Sequence, residues 1–376
     1  YNYHQAKWFN IDPKRGLQDR PIAGEYTPIY FQKVDIGNID SVKEHLFSIG
    51  WEPLDWNYKR NGKKLIKTSP KLCTESLSKL GEIGLGIDRY YTVRSRHAIL
   101  KGWLKELDED NRLHGDAYVI GTPTFRMRHK IICNVPSGEV DSETGEAESL
   151  YGPEVRSLFI ADDDKVIVGG DSAGNQARAL CHYINDPDFT ELTLRGDVHG
   201  KNAAALDCGR PQAKRWYYAF LFGAGGEKLG MYRTGVRDYE DGTKYKEIFL
   251  DANPKLKGLV ERLEAIFEKT LKISKGKKGY IPALDGRKVY ADSKHKLLNY
   301  LLQSFEAITC KAALLYFVQK MQEEGIPWWP LIFYHDEIQV EVYPKDAERT
   351  AEIMVEAFTE APKWYGVTIM SGDAKI

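Results

Sequence analysis

Two β-rich runs, each carrying an acid at its end and separated by a long helix-forming stretch, most narrow the fold. The first, Val166-Ile167-Val168-Gly169-Gly170, is rich in β-branched residues and stops at Asp171, after which the pattern over 171–184 turns helical. The second reads as two strands, 331–334 and 338–342, with His335-Asp336-Glu337 in a tight turn between them. In its latter strand Ile338, Val340 and Val342 alternate with Gln339 and Glu341, the period of a half-buried strand. Such strands mixed with long helices put the chain in the α/β or α+β class.

The helical signals are strongest between and beside these runs. Pro211–Phe222 has proline in its first turn, a favoured place. A helix is expected over 254–271. The longest is expected over 297–324, with Leu298, Leu301, Leu302, Phe305, Ile308, Ala312 and Leu315 as its apolar stripe, ended by Gly325 and Pro327. Nearer the start, 1–40 reads as irregular with a strand at 28–34. A short helix over 40–50 is capped by Asp40 or Ser41, 51–70 reads as a polar loop, and 70–107 as helix interrupted near 81–86. Residues 111–135 and 155–159 read as strands.

At 376 residues the chain is long enough for two or three subdomains. No uninterrupted apolar run reaches the ~20 residues of a membrane helix, so no membrane association is expected. Five scattered cysteines, without a CxxC pair, fit a reducing compartment and argue against a disulfide framework or a zinc site. With 53 basic and 54 acidic residues the net charge decides nothing about nucleic acid. Local basic clusters do occur: Lys63, Lys64 and Lys67; Arg126, Arg128 and Lys130; Lys272, Lys275, Lys277 and Lys278; Arg287 and Lys288. The first residue is Tyr, and the sequence is expected to be a portion of something longer.

Carboxylates at strand ends suit hard cations, which want oxygen ligands held rigidly beside substrate phosphates. Two such acids from separate strands could bridge two metals ~4 Å apart. Taken singly, an Asp before a helix is usually an N-cap and an Asp-Glu pair at a hairpin is usually turn chemistry. Arg210, Lys214, Tyr218 and Phe222 recur every four residues and share one helix face. Two cations followed by two rings could hold a nucleoside triphosphate, with His199 adding a phosphate contact; an amphipathic helix with a basic edge is the plainer alternative.

In order along the chain, these segments resemble the DNA polymerase I family (family A). Asp171-Ser-Ala-Gly-Asn-Gln176-Ala-Arg178 is similar to the family's DYSQIELR-type motif. Residues 210–225, with Arg210, Lys214, Tyr218 and Phe222, are similar to its fingers helix, and Tyr334-His335-Asp336-Glu337 to its HDE motif. Leu284-Asp285-Gly286-Arg287, Asn299-Tyr-Leu-Leu-Gln303 and Thr124-Phe125-Arg126 match further signatures. Phage replicative members look most alike. The resemblance implies an α+β right-hand polymerase fold: a palm with antiparallel sheet, helical fingers and a helical thumb remnant. It divides the chain into a palm/thumb-side segment (1–112), palm (113–184), fingers (185–294) and palm again (295–376).

By the same resemblance Asp171, Asp336 and the Ser172 carbonyl hold two Mg2+ ions, for which Mn2+ can substitute, and Glu337 is an accessory acid near the primer end. His199, Arg210 and Lys214 hold the incoming triphosphate, Lys214 also giving a proton to pyrophosphate. Tyr218 lies along base and sugar, while Gln176 and Phe222 line the sugar gate and Arg178 supports the pocket. Arg126, Arg287, Asn299, Gln303 and His335 contact primer–template DNA. The implied partners are primer–template DNA, deoxynucleoside triphosphates and a processivity factor or other replisome proteins. The implied setting is phage DNA replication in the cytoplasm of an infected bacterium.

Two departures matter. Gln176 stands where the family usually has Glu, and Phe222 where it usually has Tyr; a carboxylate and its hydroxyl partner change together. The sequence also stops at Ile376, before the family's Trp- and His-containing tail, shows no DxE pair of a proofreading exonuclease, and matches only the end of a thumb over 40–107. The competing readings are a single-subunit RNA polymerase and a catalytically silent nucleic-acid-binding relative.

Overall fold

The computed structural model describes the backbone of residues 4–8, 10–12, 16–18, 29–61, 64–140, 145, 147–276 and 278–376, and their side chains from Val34 onward apart from 60–65. Lys63 and Lys277 of the basic clusters lie outside the described residues. The chain divides into two compact units, 1–99 and 100–376.

The first unit contains more strand than its composition suggests. His4–Trp8 pairs antiparallel with Ile29–Lys33, and Asn10–Asp12 with Gly16–Gln18, where an irregular segment with one strand is expected. Residues expected as a loop form a hairpin, Asp55–Asn61 against Lys64–Lys71. Most of its described side chains are partly or fully exposed, so no apolar alternation marks it; Lys71 pairs with Asp55 at 3.0 Å and the Lys67 ammonium sits 4.1 Å over the Trp56 ring. The helix Ile39–Ser48 is capped by Asn38, whose Oδ1 accepts from the N–H groups of Asp40 and Ser41, and not by Asp40 or Ser41. Val42 and Leu46 from this helix join Val34, Trp51, Leu77 and Ile87 in a small core.

The second unit is organised by one antiparallel sheet. Its strands are β1 (Val166–Ser172), β2 (Trp328–Tyr334), β3 (Glu337–Val342) and β4 (Gly372–Lys375), arranged β2-β3-β1-β4. Side chains alternate across a strand, so Val168, Gly170 and Ser172 face one way and Ile167, Gly169 and Asp171 the other. Val168, Ile338, Val340 and Val342 pack on two helices, α4 (Leu297–Glu323) and α5 (Ala347–Glu360), through Ala312, Phe317, Met321, Ile353, Met354 and Phe358. Asp171 therefore stands on the face turned away from these helices.

Two glycines set how closely α5 approaches. A Cβ at Gly170 would lie 2.9 Å from the Met354 Cβ, and one at Gly372 would lie 2.9 Å from the Phe358 Cβ. Met354 and Phe358 are four apart, on one helix face, so both contacts come from a single ridge of α5. Pro330 falls in edge strand β2, beside a register shift between Pro330 and Ile332, a placement the missing N–H allows.

Between β1 and β2 the chain is mostly helical, with a separate core built on Trp216, Tyr217, Phe220, Phe249, Leu263, Phe267 and Phe305. Several expectations are corrected here. Residues 155–159 are not a strand: Gly152–Arg156 is a short helix with Pro153 in its first turn. The strands of 111–135 shrink to Asp116–Tyr118 paired with Arg128–Lys130. Leu315 is 65% exposed and lies off the buried stripe of α4. Among the described residues one helix, Lys294–Glu323, is long and apolar enough by length and composition to cross a membrane, although most of it is buried inside the protein.

Replacing Gly170 by alanine forces the sheet and α5 apart. We expect a loss of about 1–3 kcal/mol, the usual cost of overpacking, measured as a lower urea midpoint at unchanged slope.

Candidate functional site

The strand register brings the acids together. Asp171 on β1 lies directly opposite Glu337 on β3 and Asp373 on β4, so three carboxyl-bearing residues stand abreast on adjacent strands. Asp336 occupies the two-residue turn before Glu337, and the Ser172 N–H donates to its carbonyl at 3.0 Å. Asp373 is a residue the sequence reading misses.

Burial first, and like charge second, raise the pKa values of Asp171 and Asp336. Asp171 is raised, first by burial and then by Asp336, Asp373 and Glu337. Asp336 is pushed up to about 6, first by burial and then by Glu306, with Arg126 opposing. Ionising both acids costs the folded state free energy, which a bound cation would offset. Among the described residues no cluster of three or more His, Cys, Asp or Glu is positioned to hold an ion. Two carboxylates with further oxygens from phosphate suit magnesium, so the donor set fits ions shared with a substrate.

Backbone strain flanks the acids. His335 has φ 58° and Phe125 φ 66°, the left-handed region, at a cost of roughly 1–2 kcal/mol each. Phe125 is held there by Lys311, whose Nζ donates to the Phe125 and Val119 carbonyls at 2.7 Å, and by the Arg287 guanidinium 4.8 Å from its ring. His335 packs against Tyr334 and His129; burial first, then Arg126 and His129, lower its pKa to about 4.

One face of α4 carries the polar groups. Asn299, Gln303, Glu306 and Cys310 recur at helical spacing on it. Asn299 donates to the Phe222 carbonyl at 3.3 Å, Gln303 accepts from the Thr124 hydroxyl at 3.1 Å, and Cys310 accepts from Asn175 at 3.4 Å. Glu306, 2% exposed, accepts from Arg126 and, at 2.6 Å, from Gln176. It is the second residue the sequence reading misses; its signal is an acid at mid-helix between the apolar Phe305 and Ala307, both of them buried. Arg178 donates to the Ala173 and Ile369 carbonyls at 2.8 and 2.6 Å, fixing the turn after β1.

The basic helix face forms as expected on α3 (Arg210–Leu221), which follows α2 (Val198–Leu206). Ala213, Trp216, Tyr217 and Phe220 are buried on the other side, leaving Arg210, Lys214 and Tyr218 outward. The His199 ring lies 5.7 Å from that of Tyr218, and its pKa is lowered by burial first and then by Lys214 and Arg210. Arg210 pairs with Asp197 at 3.0 Å, the acid that caps α2. Phe222 ends the helix 49% exposed. Arg287, expected at nucleic acid, pairs with Asp285 as well as covering Phe125.

Because the folded pKa of Asp336 lies above the ordinary 3.8, its destabilising effect is absent below about pH 3.8 and complete above about pH 6. In chelator at pH 7.5 we expect Asp336→Asn to melt above wild type, by on the order of 1–2 kcal/mol, with the gap narrowing towards pH 4. Millimolar Mg2+ should raise the melting temperature of wild type and leave that of Asp336→Asn nearly unmoved. A variant melting below wild type in chelator contradicts the charge-crowding account.

A model of DNA polymerase family A matches residues 25–369. At 29% identity over 371 residues the chain is similar to the DNA-directed DNA polymerase of Escherichia phage T7, covering 92% of this chain and 51% of the phage protein. It is 25% identical over 274 residues to DNA polymerase I of Aquifex aeolicus, covering 69% of this chain and 45% of that protein. The chain thus spans about half the length of these curated relatives. Among solved structures, the POL domain of Pol1 from M. smegmatis, in complex with DNA primer-template and dNTP, matches with a TM-score of 0.71 at 16% identity, over 92% of this chain and 61% of that one. That likeness shows the polymerase-domain α+β fold, and with the family model covering nearly its whole length the chain belongs to DNA polymerase family A.

Proposed function

We propose that this chain is the polymerase portion of a template-directed DNA polymerase that adds deoxynucleotides to a primer 3′-hydroxyl and releases pyrophosphate. The observation that carries the reading is the register that sets Asp171 opposite Glu337, with Asp336 hydrogen-bonded to Ser172 beside them. Phage replication is the setting that the phage relatives favour; the partners would be primer–template DNA and deoxynucleoside triphosphates, as in the solved Pol1 complex, with a processivity factor or other replisome proteins beside them.

Asp171, Asp336 and the Ser172 carbonyl would hold two Mg2+ ions. Such ions, when bound, supply the charge that acidifies a primer hydroxyl and neutralises a triphosphate. The remaining work falls to side chains. His199, whose pKa burial and then Lys214 and Arg210 lower, would hold a triphosphate together with those two cations, and Arg210 would exchange Asp197 for a phosphate oxygen. Lys214 would give its proton to the departing pyrophosphate. Tyr218, beside His199, would stack on the base and sugar. Arg126 and His335, beside Asp336, and Gln303, on the Thr124 hydroxyl, would touch primer and template; Asn299, on the Phe222 carbonyl, and Arg287, over the Phe125 ring, would flank them.

Primer extension on a defined template, offering each deoxynucleotide and ribonucleotide separately, tests the reading. Wild type should extend with the template-directed deoxynucleotide, and Asp171→Asn or Asp336→Asn should lose roughly 10³-fold or more in kcat while still binding DNA. Preference for ribonucleotides would point instead to an RNA polymerase, and absence of any extension to a silent nucleic-acid-binding relative.

Tyr218 bears a hydroxyl able to occupy the space of a missing sugar 3′-hydroxyl. Efficient dideoxynucleotide incorporation is therefore expected, and Tyr218→Phe should discriminate against dideoxynucleotides at least about tenfold better in competition assays. Equal discrimination by both proteins removes that role.

A further inference from the structure

Glu306 has no part in the roles assigned so far, yet it is nearly inaccessible and sits in the middle of the site. Its Oε2 accepts from Arg126 Nη2 and from Gln176 Nε2, joining the loop before Arg128, the start of α1 (Asn175–Ile184) and the middle of α4. Its own Oε1 and the Oε1 of Gln176 are buried with no hydrogen-bond partner among the described residues. Buried polar atoms are seldom left so.

The chemistry of the pair fixes an orientation. A side-chain amide can turn either way, and its two ends are hard to tell apart by shape. A carboxylate accepts, so the amide must present its NH2 group to Glu306. The Gln176 Oε1 is then turned away from Glu306 and left as an open acceptor. We propose that Glu306 is a positioning residue for sugar selection: by holding the Gln176 amide in one orientation and one place, it lets a glutamine serve as a fixed gate against a ribose 2′-hydroxyl. The carboxylate stands on α4, not on α1, and acts through the amide rather than in place of it. This rests on the polymerase reading above. Without the anchor, Gln176 would swing among rotamers and the gate would loosen.

The test is the ratio of kcat/KM for deoxynucleotide over the matching ribonucleotide in single-nucleotide primer extension with Mg2+. Wild type is compared with Glu306→Ala, Glu306→Gln, Gln176→Glu and the exchange Gln176→Glu/Glu306→Gln. The ratio should fall about tenfold in Glu306→Ala. It should fall about threefold in Glu306→Gln, which keeps the bulk and no longer dictates which way the amide turns. Gln176→Glu alone sets two carboxylates against each other and should also lose discrimination. The exchange restores one carboxylate facing one amide and should return to within about threefold of wild type. An unchanged ratio in both Glu306 variants, or an exchange no better than Gln176→Glu alone, overturns the proposal; should Glu306→Ala not fold, the isosteric variant and the exchange decide it. A wild-type protein that extends no primer at all overturns the polymerase reading instead.

Discussion

The site depends on a sheet that holds like charges side by side. Asp171, Glu337 and Asp373 share one register row, and in water such groups would move apart. The backbone ladder of β3, β1 and β4 prevents it, because shifting one strand would turn every apolar residue of Ile338, Val340 and Val342 out of the core. Behind the row, Gly170 and Gly372 let α5 press against the sheet and stiffen the place where repulsion is greatest. Free energy stored in this way makes the site receptive to cations, and stability is given up for it.

Helix α4 is the second organising part. Its apolar side chains belong to two cores, one shared with the sheet and one with the helices between β1 and β2. Its polar face carries Asn299, Gln303, Glu306 and Cys310, which reach Phe222, Thr124, Arg126, Gln176 and Asn175. Groups from distant parts of the chain are thereby referred to one rigid rod. The strained residues Phe125 and His335 sit next to Arg126 and Asp336, and the contacts of Lys311, Arg287 and His129 over-determine them.

Much of this was legible in the sequence, for physical reasons. The β-branched run before Asp171 and the alternation after Asp336 carry strong local signals, and the four-residue spacing of Arg210, Lys214, Tyr218 and Phe222 needs only a helix to become one face. What escaped was set by pairing at a distance. Strand β4, Gly372-Asp373-Ala374-Lys375, has no apolar pattern of its own and is a strand because β1 offers it an edge. The exposed hairpin of Asp55–Asn61 and Lys64–Lys71 lacks alternation for a similar reason. Val155 reads as strand by composition, but Pro153 starts a helical turn there. Glu306 was hidden in a helix judged by its apolar stripe, and its meaning appears only when Arg126 and Gln176 arrive from elsewhere.

The order of the strands also shapes how the protein comes into being. β1 is made early, and both of its neighbours in the sheet follow only after the whole helical segment. Closing so long a loop is entropically costly and slow, whereas the intervening helices, with mostly local contacts and a core of their own, can form at once. On a ribosome, β1 therefore waits with unpaired edges while the helical body folds beside it. The acids meet last, so a chain halted before β3 still lacks Glu337 and Asp373 from the row, and Val367 and Met370 from the helical core.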